Sequence, residues 1–267
     1  MTPPENLFDA ALNDEYMPSR RVPDADAMVE AWQRNSALAR VNCPPTELAY
    51  GAGEHKRLDV FTPQVRARAT LLFIHGGYWQ AFYKDTFSYL APPLVAAGIR
   101  VAVMSYDLTP HVSLAQIVGQ ARQATAAVAA QFPGPLIVAG HSAGAHLAAM
   151  VHATDWAAGG LSPVRLTGGL GISGLYDLGP LRRTELQPAL QLSEAEARAL
   201  SPAFVSPTSA APFIVAVGAE ESRAFLWQSQ QLPSAWPGVA SSVRQLPDRH
   251  HFNAPDDLLP LALELLG

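Results

Sequence analysis

The chain has 267 residues, a formal charge of −5, a pI near 5.9 and 49% apolar residues, which allows one large α/β domain or two small ones and argues against nucleic acid or an anionic membrane as partner. A single cysteine, Cys43, allows no internal disulfide and fits a reducing compartment. The N-terminus lacks the basic and apolar regions of a secretory signal, and Arg100 interrupts the nearest candidate span, Leu94 to Met104, so the expectation is a cytoplasmic protein without a membrane segment.

Residues 1–24 carry many Pro, Asn and Asp residues and read as an irregular lead-in. Asp24 to Arg40 reads as an amphipathic helix, with Asp24 as its cap and Met28, Trp32, Leu38 and Val41 along one face. From about residue 46 strands and helices alternate. The strands fall at Thr46–Tyr50, Arg57–Phe61, Thr70–His75, Arg100–Tyr106, Pro135–Ala139, Leu166–Ile172, Pro212–Val217 and Ser241–Leu246. Helices fall near 86–97, 113–131, 142–155, 222–232 and 256–266, with two short ones within 183–200. The first two strands share a short Gly-rich link and should be antiparallel; the later ones alternate with helices and should be parallel. The expectation is a single α/β domain over residues 1–267, a mostly parallel, doubly wound eight-stranded sheet with residues 1–40 as an N-terminal cap.

The stretch Leu136-Ile137-Val138-Ala139-Gly140-His141-Ser142-Ala143-Gly144 places Gly-x-Ser-x-Gly between a buried strand and an alanine-rich helix. So sharp a turn strains the serine backbone and lifts its Oγ above the sheet edge, and the helix beginning beside it aims free N–H groups at a reacting carbonyl. Ser142 is the candidate nucleophile. A serine needs a base, and the base an orienting acid. After the seventh strand comes Gly218-Ala219-Glu220-Glu221-Ser222, and after the eighth Pro247-Asp248-Arg249-His250-His251-Phe252. Glu221 is favoured as the acid, with Asp177, Asp248 and Glu220 as rivals. His251 is favoured as the base over His250.

A second signal is Leu71-Leu72-Phe73-Ile74-His75-Gly76-Gly77-Tyr78-Trp79, a buried strand running into a glycine pair. It suits an oxyanion loop, with donors expected from the N–H groups of Gly77, Tyr78 and Ala143. His75 should brace this loop rather than move protons. Tyr78, Trp79, Phe82, Tyr83 and Trp32 are candidates to line an aromatic pocket beneath a cap formed by residues 1–40 and the loop Tyr78–Asp85. His141 and His146 do not have the spacing of a standard metal site, there is no His-Glu-x-x-His, and Gly168-Gly169-Leu170-Gly171 lies within a strand, so neither metal nor phosphate cofactor is expected.

Longer stretches resemble the arylformamidase (kynurenine formamidase) family of α/β-hydrolases. The resemblance rests on His75-Gly76-Gly77-Tyr78-Trp79-Gln80, on Gly140 to Ala148, on Ser173-Gly174-Leu175-Tyr176-Asp177-Leu178, on Val215 to Gly218 and on His251-Phe252. Glu15 to Arg20 is similar to that family's Tyr-Ser-Pro-Ser segment. Broad-specificity esterases of the hormone-sensitive-lipase type usually carry a third glycine where Tyr78 stands, and animal members of the formamidase family place aspartate where this chain has Glu221.

The resemblance implies hydrolysis of N-formyl-L-kynurenine to formate and kynurenine, a step of tryptophan catabolism, or action on a related aryl amide. The alternative is a carboxylesterase of short or aryl esters using the same residues. The expected partner is that small-molecule substrate, and a homodimer is the candidate assembly. A neutral His251 would be needed, so activity should fall below about pH 6.5, the ordinary histidine value.

Overall fold

Segments such as Leu71 to Ile74, Val101 to Met104 and Leu136 to Ala139 show no polar alternation, so strands built from them must be covered on both faces. The structure, a computed structural model, describes residues 9–157, 164–240 and 242–267 and meets that demand with an eight-stranded sheet. The strands are β1 Thr46–Ala49, β2 Arg57–Phe61, β3 Ala69–Ile74, β4 Ile99–Met104, β5 Leu136–His141, β6 Gly168–Ile172, β7 Phe213–Gly218 and β8 Val243–Leu246. Ser241, the expected start of the last strand, lies outside the described residues. Their spatial order is β1-β2-β4-β3-β5-β6-β7-β8. Strand β2 is antiparallel to both β1 and β4, and every later pairing is parallel.

The helices are α1 Ala10–Tyr16, α2 Pro18–Arg21, α3 Ala25–Asn42, α4 Ala91–Ala96, α5 Leu114–Gln131, α6 Ala143–His152, α7 Gln187–Leu190, α8 Glu194–Ala199, α9 Arg223–Ala235 and α10 Leu258–Glu264. The period-2 geometry of β3 sends Leu72 and Ile74 into one apolar cluster and Leu71 and Phe73 into another. The first cluster packs against α5, α6 and α9 through Ile117, Leu147 and Phe225; the second packs against α3, α4 and α10 through Trp32, Leu94 and Leu258. No helix of the described residues is long and apolar enough to cross a membrane.

Four expectations about the elements need correction. The described part of the lead-in, from residue 9, is not irregular. Asp9 Oδ1 accepts from Leu12 N at 3.2 Å to start α1, and Pro18 stands at the first position of α2, where its missing N–H costs nothing. Helix α3 buries Trp32 as expected, but the rest of its buried face differs from the one the pattern suggests. Ala25, Trp32, Ser36 and Ala39 face inward, whereas Leu38 is 61% exposed and Val41 77% exposed. The small residues Ser36 and Ala39 let the helix approach closely, with Ser36 Oγ donating to Thr86 O at 2.7 Å and accepting from Tyr89 N at 3.0 Å. Asp24 sits at the N-cap of α3 but makes no side-chain capping bond. The helix expected near 86–97 is instead a 3-10 segment, Lys84–Leu90, followed by α4, whose Pro92 and Pro93 lie in its first turn.

Candidate active site

The loops that follow β3, β5, β6, β7 and β8 gather at the C-terminal edge of the parallel sheet, where open α/β sheets hold their ligands. Ser142 closes β5 and caps α6 with φ 56° and ψ −122°, a conformation disfavoured for an L-residue. Its N–H is fixed on Ile172 O at 2.8 Å. The flanking glycines are needed for close approach. A Cβ on Gly140 would lie 2.1 Å from Gly144 O, and one on Gly144 would lie 1.9 Å from Ile74 O.

Glu221 and His251 come together. His251 Nδ1–H donates to Glu221 Oε2 at 2.8 Å, with both residues buried. The other oxygen, Oε1, accepts from Gly218 N at 2.9 Å and from Ser173 Oγ at 2.5 Å. The rival groups are engaged elsewhere. Asp177 Oδ1 accepts from Gly179 N at 2.8 Å, Glu220 and Asp248 are exposed, and His250 Nδ1 accepts from Phe252 N at 3.2 Å. Neighbouring His141 holds the histidine loop, its Nε2–H donating to the carbonyl of His251 at 2.9 Å while the two rings lie 4.7 Å apart.

The glycine-pair loop leans over Ser142 so closely that a Cβ on Gly76 would sit 2.9 Å from Ser142 Cβ. Among the described residues the N–H groups of Gly77, Tyr78 and Ala143 have no hydrogen-bond partner, so all three are free to donate. Tyr78, Trp79 and Phe82 all have positive φ, 51°, 60° and 73°, and each is held by its surroundings. The Tyr78 hydroxyl donates to Tyr16 O, Trp79 O accepts from Thr109 N at 2.8 Å, and Phe82 packs edge-on to Trp32 and Phe87. His75 braces the loop from below, its Nδ1–H donating to Gly76 O at 2.8 Å and its ring lying 4.2 Å from that of Tyr106.

A cavity of about 250 Å³ opens onto Ser142 and His251. Tyr78, Phe82 and Trp32 line it as expected, together with Met17, Val29 and Phe252. Trp79 and Tyr83 do not. Trp79 is fully buried, edge-on to His146, and Tyr83 turns away to stack on His55 at 4.3 Å. Both were grouped with the pocket because an aromatic beside a glycine loop reads alike whether it points up or down. Met17, Pro18, Ser19 and Asp26 were missed as individuals, although the N-terminal segment as a whole was expected to cover the site. Their signal is tertiary: Ser222 Oγ donates to Glu15 O at 2.6 Å, and Ala224 N donates to Glu15 Oε2 at 3.0 Å, which docks α1 and α2 beside the acid.

A serine at a strained strand-to-helix turn, with His and Glu delivered by the last two strands, is the arrangement of an α/β hydrolase. The alpha/beta hydrolase family model matches residues 71–264. The chain is 33% identical over 247 residues to a kynurenine formamidase of Salmo salar, covering 87% of this chain and 82% of that one. It is 34% identical over 266 residues to a kynurenine formamidase of Danio rerio, covering 93% and 90%. A crystal structure of a proposed thioesterase from Silicibacter sp. TM1040 superposes with a TM-score of 0.86 at 33% identity, over 93% of this chain and 94% of that one. The chain belongs to the kynurenine formamidase family of α/β hydrolases.

Proposed function

We propose that this protein is an arylformamidase that hydrolyses the N-formyl amide of N-formyl-L-kynurenine, or of a related aryl amide, to formate and the free amine. The observation that carries this reading is the aromatic-walled cavity opening onto Ser142 and His251 in a chain one-third identical to two kynurenine formamidases. In the first stage His251 accepts the Ser142 proton as Oγ attacks the formyl carbonyl. The oxyanion is held by the N–H groups of Gly77, Tyr78 and Ala143, each such donor being worth about 3–4 kcal/mol in the transition state. Glu221 keeps the imidazole tautomer with Nδ1–H toward itself, which leaves Nε2 to take and return the proton. His251 then protonates the leaving amine, and in the second stage activates the water that releases formate.

The deciding experiment compares kcat/KM for N-formyl-L-kynurenine with that for p-nitrophenyl acetate. The expected outcome is efficient deformylation. Ester hydrolysis with the formyl amide untouched would instead identify a carboxylesterase, the reading that a thioesterase-like neighbour would favour.

Asp26, exposed in the first turn of α3, is the one carboxylate at this cavity that makes no hydrogen bond or ion pair among the described residues. In this reading it pairs with the substrate's ammonium group. Asp26→Asn should lower kcat/KM for N-formyl-L-kynurenine by about twofold to fivefold, the scale of an exposed ion pair, and leave uncharged formanilide unaffected. Equal losses on both substrates would remove Asp26 from substrate recognition.

A further inference from the structure

We propose that Ser173 is a positioning residue for hydrolysis, one that acts only through Glu221. The inference rests on the reading of Ser142, His251 and Glu221 as the reacting set, but not on the identity of the substrate. Ser173 follows β6 in the Ser-Gly-Leu-Tyr-Asp stretch, and its N–H is fixed on Ala216 O at 2.8 Å, so β7 sets its position. It is fully buried, as is the carboxylate beside it. Its hydroxyl donates to Glu221 Oε1 at 2.5 Å.

The backbone at Ser173 makes this contact more telling. Its φ is 55°, in the left-handed region where glycine is the unstrained residue. A side chain kept there at a conformational cost has a use, and its polar atom has a partner at hydrogen-bonding distance. That use follows from the length of the acid. Glutamate has one more rotatable bond than aspartate, so a Glu at position 221 needs more restraint to present one oxygen to His251. Ser173 Oγ and Gly218 N–H together hold Oε1, and Oε2 is thereby left facing His251 Nδ1.

The strained φ separates this role from a merely structural one. Ser173→Gly removes the hydroxyl and relieves the backbone, so its melting temperature should equal or exceed that of the wild type. Its kcat on p-nitrophenyl acetate should nonetheless fall about 10- to 100-fold, with KM unchanged, as expected for loss of a hydrogen bond to a charged group. Ser173→Ala should lose a similar factor without the gain in stability, and it serves if the glycine variant loosens the turn. In a Glu221→Gln background, itself reduced about 10³-fold or more, the Ser173 substitutions should cost nothing further.

Wild-type kcat in both Ser173 variants, with Glu221→Gln crippled, would overturn the inference and leave the reacting set intact. A Ser173 penalty of the same size in both backgrounds would overturn it too. Full activity in Glu221→Gln would overturn the assignment of the acid, and with it the role of Ser173.

Discussion

Replacing Ser142 by alanine should lower kcat/KM by about 10⁶-fold on any substrate the protein hydrolyses, while leaving the fold in place. The size of the effect follows from what is removed. The hydroxyl is the attacking atom and the group from which His251 takes its proton, so its loss disables both partners together. What should survive is the small acceleration that free N–H donors and binding give to attack by water. The fold should survive because the φ of 56° at Ser142 is held by its N–H bond to Ile172 and by the glycines around it, none of which involves Oγ. Activity within tenfold of wild type in purified Ser142→Ala would show that another group performs the attack. A p-nitrophenyl ester assay, with a contaminant control on the same column fractions, measures this directly.

The protein should also lose stability steeply as the pH falls from about 6.5 toward 4. Four buried histidines set this range. Burial pushes His75, His146 and His152 down to about 4, and burial with the His251 ring alongside pushes His141 well below its ordinary value. Each donates Nε2–H or Nδ1–H to a backbone carbonyl, which a neutral ring satisfies with one nitrogen. In the unfolded chain the same rings titrate near 6.5. The unfolded state therefore binds more protons throughout this window, and stability rises with pH across it. The contribution is fully present above pH 6.5 and is lost as the pH falls through the folded values.

Each such histidine adds about 1.4 kcal/mol of slope per pH unit. At pH 4 three such rings together remove on the order of 9 kcal/mol, comparable to the roughly 5–15 kcal/mol that holds a domain folded. Urea midpoints should be flat from pH 8 to 7 and drop progressively below 6.5. An unchanged midpoint between pH 7 and 5 would mean that these rings are already protonated, or exposed, in the native state.

What could be read from the residues alone was whatever is decided locally. The Gly140-x-Ser142-x-Gly144 turn sits between a four-residue apolar strand and an alanine-rich helix, and each of those neighbours constrains it directly. The loop from His75 to Tyr78 is legible for the same reason, as is the strand order of chain entry that delivers Glu221 before His251. The parts that misled depend on contacts across the fold. Helices α1 and α2 are short and polar, and they are stable because Glu15 and Tyr16 dock on residues more than 60 positions away. On α3 the pattern points correctly to Trp32 but also to Leu38 and Val41, which outrank Ser36 and Ala39 in hydrophobicity although only the smaller pair is buried against the 3-10 segment. Trp79 is indistinguishable from a pocket aromatic until the fold buries it fully, edge-on to His146, while Tyr78 lines the cavity.

The docking of Glu15 and Tyr16 has a kinetic consequence. Two adjacent residues hold the loop before α9 and the loop after β3, so the N-terminal segment joins regions of very different sequence separation. The Glu15–Ser222 contact spans 207 residues, whereas the β3–β5 pairs run from Thr70 to Leu136, so it carries the larger loop-closure entropy and forms later. A refolding chain can therefore complete the β3–β5 pairing and regain much of its ellipticity while α1 is still undocked from Ser222. The last step toward a competent enzyme is then the arrival of its first helices rather than the closing of its core.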